Sequence, residues 1–243
     1  MDRRGFLSLA SAGVAGGLSL LGTEQAFAAS PQVHPARQRI SYELPKGETP
    51  RWAWTIDDGV SSASIATYLE HALRNPEFKF TYFVTSMYPS WKKNASALRE
   101  LMQRGQVQLA NHTHTHKDLR TLSGHGIQKQ LLDCHHFLED EFGVSSKSFW
   151  RPPYGYWDIR VLDAATEAGF TAPTMWFGVF GTDSATITAN QLYDNVQKWV
   201  QNGRIVLDHA NYTLGSEHFA QMMATIRPKG LQMVTLAEAF PAY

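Results

Sequence analysis

Arg51-Trp52-Ala53-Trp54-Thr55-Ile56-Asp57-Asp58-Gly59 is the stretch on which the reading of the fold turns. A short apolar run ends on two adjacent carboxylates and a glycine, the pattern of a buried strand that stops at a polar edge. Similar runs recur at 78–85, 106–110, 147–150, 171–177, 204–208 and 231–235. Segments with helical spacing separate them. Ile65, Leu69, Ala72 and Leu73 share one face, and Ile127, Leu131, Cys134 and Leu138 share another. Gly105, Gly143, Gly169, Gly203 and Gly230 each follow a helical segment, where helix ends favour glycine. Roughly seven βα units result, which predicts an α/β fold with a parallel sheet, open or closed into a barrel.

The chain has 243 residues, enough for one domain with an enclosed site. Lys plus Arg and Asp plus Glu both number 22, so no basic field exists to hold nucleic acid. Aromatic residues make up 12% of the chain, with seven Trp, which suits a carbohydrate-stacking cleft as well as a core. Cys134 is the single cysteine, expected as a small buried hydrophobe, so neither an intrachain disulfide nor a cysteine nucleophile is expected.

Residues 1–28 read as a cleavable twin-arginine export signal. Arg3-Arg4 precedes a stretch rich in Gly, Ala and Leu that ends at Ala26-Phe27-Ala28. This predicts a periplasmic or secreted protein with no stable membrane anchor. Residues 29–50, with Pro31, Pro35, Pro45 and Pro50, read as an extended lead-in, and 51–243 as the domain.

Polar residues gather where the strands finish, and in parallel α/β folds those ends share the face on which sites are built. Asp57 and Asp58 repel one another as they leave a buried strand, which a divalent cation would offset; one would bind it while the other stays free as a base. A simple Asp-Gly turn is the plainer alternative. After the strand 106–110 comes Asn111-His112-Thr113-His114-Thr115-His116. Its histidines either face one way on a strand or, if a helix begins here, place His112 and His116 one turn apart, with Asn111 or Thr113 as cap. Two imidazoles and one carboxylate make a zinc site with open positions. His114 is expected beside the site or in solvent, and His135 and His136 on the surface. In Trp150-Arg151-Pro152-Pro153-Tyr154-Gly155 the prolines stiffen the loop, Arg151 can pair with a site carboxylate, and a backbone N–H near Tyr154 can face an oxyanion. Leu207-Asp208-His209 ends another strand with an imidazole placed to act as general acid.

The blocks TIDDG, HTHTH, RPPYG and LDH, in this order between residues 55 and 209, resemble the motifs of the polysaccharide deacetylase family, carbohydrate esterase family 4. The resemblance implies a distorted (β/α)7 barrel and an acetylated-carbohydrate substrate; a monomer is expected. It implies zinc, or cobalt or nickel, on Asp58, His112 and His116. It also implies Asp57 as base, His209 as acid, Arg151 orienting the base, the Tyr154 N–H binding the oxyanion, and Leu207 lining the acetyl pocket. The family often carries an Asp-Trp block supporting the acid. Here Asp183 stands at its second Asp, Ser184 replaces the Trp, and Val179 or Phe180 stands near its first Asp. The expected activity is removal of N-acetyl (or O-acetyl) groups from sugars. The alternatives are a weakly active or non-catalytic sugar-binding protein on the same fold, and hydrolysis of a non-sugar amide or ester.

Overall fold

The computed structural model describes residues 38–183 and 187–241. The proposed export signal lies outside them. The chain runs through β1 (Arg51–Asp58), α1 (Ser62–Arg74), β2 (Phe80–Val84), α2 (Ser90–Lys93), α3 (Ala95–Gln103), β3 (Val107–Asn111), α4 (Gly124–Phe142) and β4 (Phe149–Trp150). There follow α5 (Ile159–Glu167), β5 (Ala172–Pro173), β6 (Gly178–Val179), α6 (Ala189–Trp199), β7 (Ile205–His209), α7 (Leu214–Glu217), α8 (Phe219–Ile226), β8 (Gln232–Met233) and α9 (Leu236–Ala239).

The strands form one parallel sheet in the order β5-β4-β3-β2-β1-β7-β6, with β8 added to the start of β1. The sheet curls into a half-barrel, and among the described residues no ladder joins β5 to β6. The seven expected runs yield β1 to β5, β7 and β8, and the sheet has β6 as an eighth strand. The pair β6 was not anticipated, and the run 171–177 yields only a two-residue strand. Beyond Pro173 the backbone serves side chains instead of a ladder: the Thr174 and Met175 carbonyls accept from Arg151.

Strand β1 is central, paired with β2 on one side and β7 on the other, and its two faces are buried by the apolar clusters packed above and below it. Its residues alternate by size. Trp52, Trp54 and Ile56 face the helices, where Trp54 packs on Tyr68, Phe78, Phe180 and Phe219. Ala53 belongs to the inner cluster with Phe83, Ala110 and Ile205, so the concave side of β1 is small and, through Thr55 and Asp57, polar. This leaves room inside for other side chains.

The described part of the lead-in, residues 38–50, is part of the fold. Ser41 bridges Thr174 just after β5, Glu43 bridges Arg204 just before β7, and Leu44 is buried. These residues cross the opening that β5 and β6 leave between them.

Helix ends follow the local chemistry. Ser61, Ser123 and Asp158 cap α1, α4 and α5 through their side-chain oxygens, and Thr188 and Gln191 form a capping box on α6. Among the described residues no helix is long and apolar enough to cross a membrane. His135, expected on the surface, is instead buried: it lies four residues after Leu131 on the inward stripe of α4 and meets Ser146 through Nδ1. His136 is exposed as expected.

Cys134 is buried, its Sγ 3.2 Å from the Val84 carbonyl, and burial pushes the thiol up to about 12. The native protein should resist iodoacetamide at pH 8 and take up one equivalent after denaturation, read by mass spectrometry. Labelling of native protein at the rate of a free thiol would contradict this packing.

Candidate active site

Register brings the reactive blocks together. Asp57 pairs with His209 of β7 and Phe83 of β2, while Asp58, Val84, Asn111 and Trp150 follow one another across β1 to β4. The loops that leave these ends carry the remaining groups. They enclose a cavity of about 480 Å³ lined by Asp57, Asp58, His112, His116, Tyr154, Asp183, Leu207, His209 and Asn211, among others.

Adjacent residues of a strand point to opposite faces, so two neighbouring carboxylates need a break in the strand to approach one point. Asp58 supplies it with φ 73°. Gly59 continues the turn at φ 89°, where a Cβ would lie 2.1 Å from the Trp91 ring. The four non-glycine residues with positive φ among those described are Asp58, Thr113, His116 and Tyr154, all in the site blocks. Such backbone costs of order 1–3 kcal/mol per residue and persists where surrounding contacts over-determine it.

The segment after β3 is neither the strand nor the helix considered above. Thr113 and His116 turn left-handed, and side chains hold the loop. Asn111 Oδ1 accepts from the Thr113 N–H, Thr113 Oγ1 from the His116 N–H, and Gln130 from the N–H groups of His114 and Thr115. The folded-back loop brings His116 to His112, ring centroids 4.9 Å apart. His114 turns aside to Ser86, with Nδ1 2.9 Å from Oγ.

His116 Nε2 lies 3.0 Å and His112 Nε2 3.4 Å from Asp58 Oδ1. Yet Oδ1 is buried and receives no well-directed hydrogen bond. His112 Nδ1 is 2.8 Å from the Arg151 carbonyl, which only accepts, so this nitrogen carries a proton, and in its neutral form the ring offers the Nε2 lone pair to the cavity. One donor atom from each of the three residues falls within 4.8 Å of the others. A carboxylate oxygen without a hydrogen bond, facing two imidazole nitrogens, fits a divalent cation with nitrogen and oxygen preference. Burial raises the Asp58 carboxyl, but the two imidazoles outweigh it and hold the group well below the usual carboxylate range. Burial likewise lowers His112, and Asp57 and Asp58 together reverse this and raise it.

Asp57 is outside this donor set. Its Oδ1 accepts from Arg151 Nη1 at 2.6 Å. Arg151 is fully buried and also donates to Thr55 Oγ1 and to the carbonyls of Thr174 and Met175, with the Phe83 ring 3.9 Å from its guanidinium carbon. Burial pushes the guanidinium down and Asp57 counters it.

Tyr154, at φ 60° beside two prolines, packs its exposed ring on His116, centroids 4.6 Å apart. Leu207 lines the cavity from β7. His209 is held through its backbone: its N–H reaches Thr182 Oγ1 and Asp208 Oδ1, both at 2.9 Å. Its Nδ1 is buried with no hydrogen-bond partner among the described residues. Asp183 lines the same cavity, and among the described residues no ion pair joins it to His209. Ser184 lies outside the described residues.

Asn211 and Thr182 escaped the sequence reading, and Asp208 stood in the LDH block without a role of its own. Asn211 Nδ2 donates to Asp58 Oδ2 at 2.6 Å. Asp208 is fully buried under His209, accepting from Trp54 Nε1, Tyr68 OH and Thr182. Burial raises its carboxyl, and these donors work against that rise.

Residues 45–173, more than half of the chain, match the model of the polysaccharide deacetylase family, and the chain belongs to that family. It is 28% identical over 155 residues to a chitooligosaccharide deacetylase of Sinorhizobium fredii, covering 64% of this chain and 69% of that one. It is 25% identical over 202 residues to a peptidoglycan-N-acetylglucosamine deacetylase of Bacillus cereus, covering 82% and 92%. Among solved structures it shares the fold of a Bacillus anthracis protein described as a carbohydrate esterase family 4 pseudoenzyme. There the TM-score is 0.71 at 20% identity, over 84% of this chain and 69% of that one.

Replacing Arg151 by Ala leaves Asp57 buried and uncompensated, a loss of about 3–5 kcal/mol. Thermal unfolding of Arg151→Ala should show a melting temperature lower by roughly 10 °C. A shift under roughly 2 °C would show that the pair does not hold the fold.

Proposed function

We propose that this chain is a metal-dependent deacetylase that hydrolyses the acetamido group of N-acetylated sugars in an oligosaccharide or polysaccharide, after twin-arginine export. The observation that carries this reading is Asp57. It is a carboxylate clamped by a buried arginine, outside the Asp58–His112–His116 donor set, and register-paired with His209 across the same cavity. A site that merely bound sugar would need neither a free base nor an opposed imidazole.

Asp58, His112 and His116 would hold the cation, zinc or alternatively cobalt or nickel, which when bound supplies Lewis-acid polarisation to the acetyl carbonyl. Asp57 takes a proton from the attacking water as the water oxygen bonds to the carbonyl carbon, and Arg151 keeps that carboxylate aimed. The carbonyl electron pair moves onto oxygen, where the Tyr154 N–H donates; one such donor is worth about 3 kcal/mol. Leu207 takes the acetyl methyl. His209 gives its proton to the nitrogen as the C–N bond breaks, because the amine is too basic to leave unaided. Acetate and a free amino sugar result. The names of the two curated relatives support an amide of N-acetylglucosamine as the bond broken.

A second reading, a weakly active or non-catalytic sugar binder, is favoured by one observation: His209 Nδ1 is buried without a hydrogen-bond partner among the described residues.

Acetate release from chito-oligosaccharides should occur with added zinc and stop with chelator. Binding without release would instead favour the second reading. Asp57→Asn should retain zinc by atomic spectroscopy while turnover falls at least about 10²-fold; activity kept at full occupancy would remove Asp57 from the role of base. His112→Ala or His116→Ala should lose the metal, and full occupancy in either would contradict the donor assignment.

A further inference from the structure

Asn211 follows β7 by two residues and reaches back to β1. Its Nδ2 lies 2.6 Å from Asp58 Oδ2, a contact between residues 153 apart in the chain. A carboxylate only accepts, so the orientation of the amide is decided by chemistry: Nδ2 faces Asp58. The bond is also charge-assisted, which makes it short and strong.

The segment that presents Asn211 is pinned. The Ala210 N–H donates to the Asp57 carbonyl at 3.1 Å, and the Ala210 carbonyl accepts from the Ser61 N–H at 2.9 Å. The amide is therefore delivered from backbone tied to β1 itself and to the cap of α1, not from a free side chain in solvent.

The two oxygens of Asp58 have different surroundings. Oδ2 is taken by Asn211, while Oδ1 faces the nitrogens of His112 and His116 without a well-directed hydrogen bond. A carboxylate rotating about its Cβ–Cγ bond can offer a cation one oxygen or both. With Oδ2 held, only Oδ1 is presented. We infer that Asn211 is a positioning residue that fixes Asp58 as a single-oxygen donor and thereby raises the affinity of the three-residue set for a divalent cation. The inference rests on the metal reading of Asp58, His112 and His116. It extends that site to a fourth residue, which no motif marks. Partners of this kind behind a ligand are typically worth about 10–100-fold in metal affinity.

The test uses the full chain, stripped of metal and titrated with zinc against a chromophoric chelator. Asn211→Leu fills the space without a donor, and Asn211→Ala removes both. Each should weaken zinc binding by roughly 10–100-fold relative to wild type. The second readout is the zinc-induced rise in melting temperature, taken as a difference so that any loss already present in metal-free protein cancels. That rise should shrink in both variants at a fixed zinc concentration. If Asn211→Leu does not fold, Asn211→Ala carries the same comparison. Wild-type affinity and an undiminished rise in the variants would overturn the role of Asn211 and leave the metal site standing. A wild-type protein that binds no zinc, cobalt or nickel would overturn both together.

Discussion

A charge with no access to water sits at the centre of this half-barrel. The Arg151 guanidinium is fully buried, and every group around it answers that cost: the Asp57 carboxylate, the Thr55 hydroxyl, two main-chain carbonyls and the face of Phe83. Because those acceptors come from β1 and from the chain beyond β5, the side chain ties the middle of the sheet to one of its edges. The small inner residues of β1 give it the space to do so. The same bonds that make the arginine tolerable also fix the direction of Asp57, so structure and reactivity draw on one ion pair. Its carbonyl serves too, since it accepts from His112 and so decides which imidazole nitrogen is left for a ligand.

Much of this was legible in the amino-acid order. Each main strand could be found because buried parallel strands are apolar runs, and their ends could be found because carboxylates and histidines are rare next to such runs. The short β6 left no mark, since a two-residue strand with Val179 exposed has neither a run nor an alternation. The left-handed turns at Thr113 and His116 were hidden for a different reason: threonine rarely adopts positive φ, histidine does so too seldom to mark the place by itself, and the contacts that impose it come from Asn111 and Gln130. Asn211 is a lone amide after a strand, and nothing in its neighbours announces that it reaches Asp58. His135 could have been found, since its spacing from Leu131 puts it on the buried stripe of α4.

His209 is supported differently at its backbone and at its ring. The backbone of the imidazole is anchored by Thr182 and Asp208, and Asp208 is in turn anchored by Trp54 and Tyr68 from the helix-facing core. The ring nitrogen Nδ1 has no comparable anchor among the described residues. The position of the acid is thus built into the packing of the barrel wall, whereas its electrostatic environment is left to the cavity.

The lead-in has a consequence for association between molecules. Strands at the rim of a sheet expose main-chain donors and acceptors that invite pairing with a second chain. Here the Ser41 N–H meets the Pro173 carbonyl, its own carbonyl meets the Met175 N–H, and the Leu44 N–H meets the Gly203 carbonyl. Ser41 and Leu44 precede residue 45, where the family match begins. A domain cut at the homology boundary would therefore lose its own edge guard and offer a sticky rim to its neighbours.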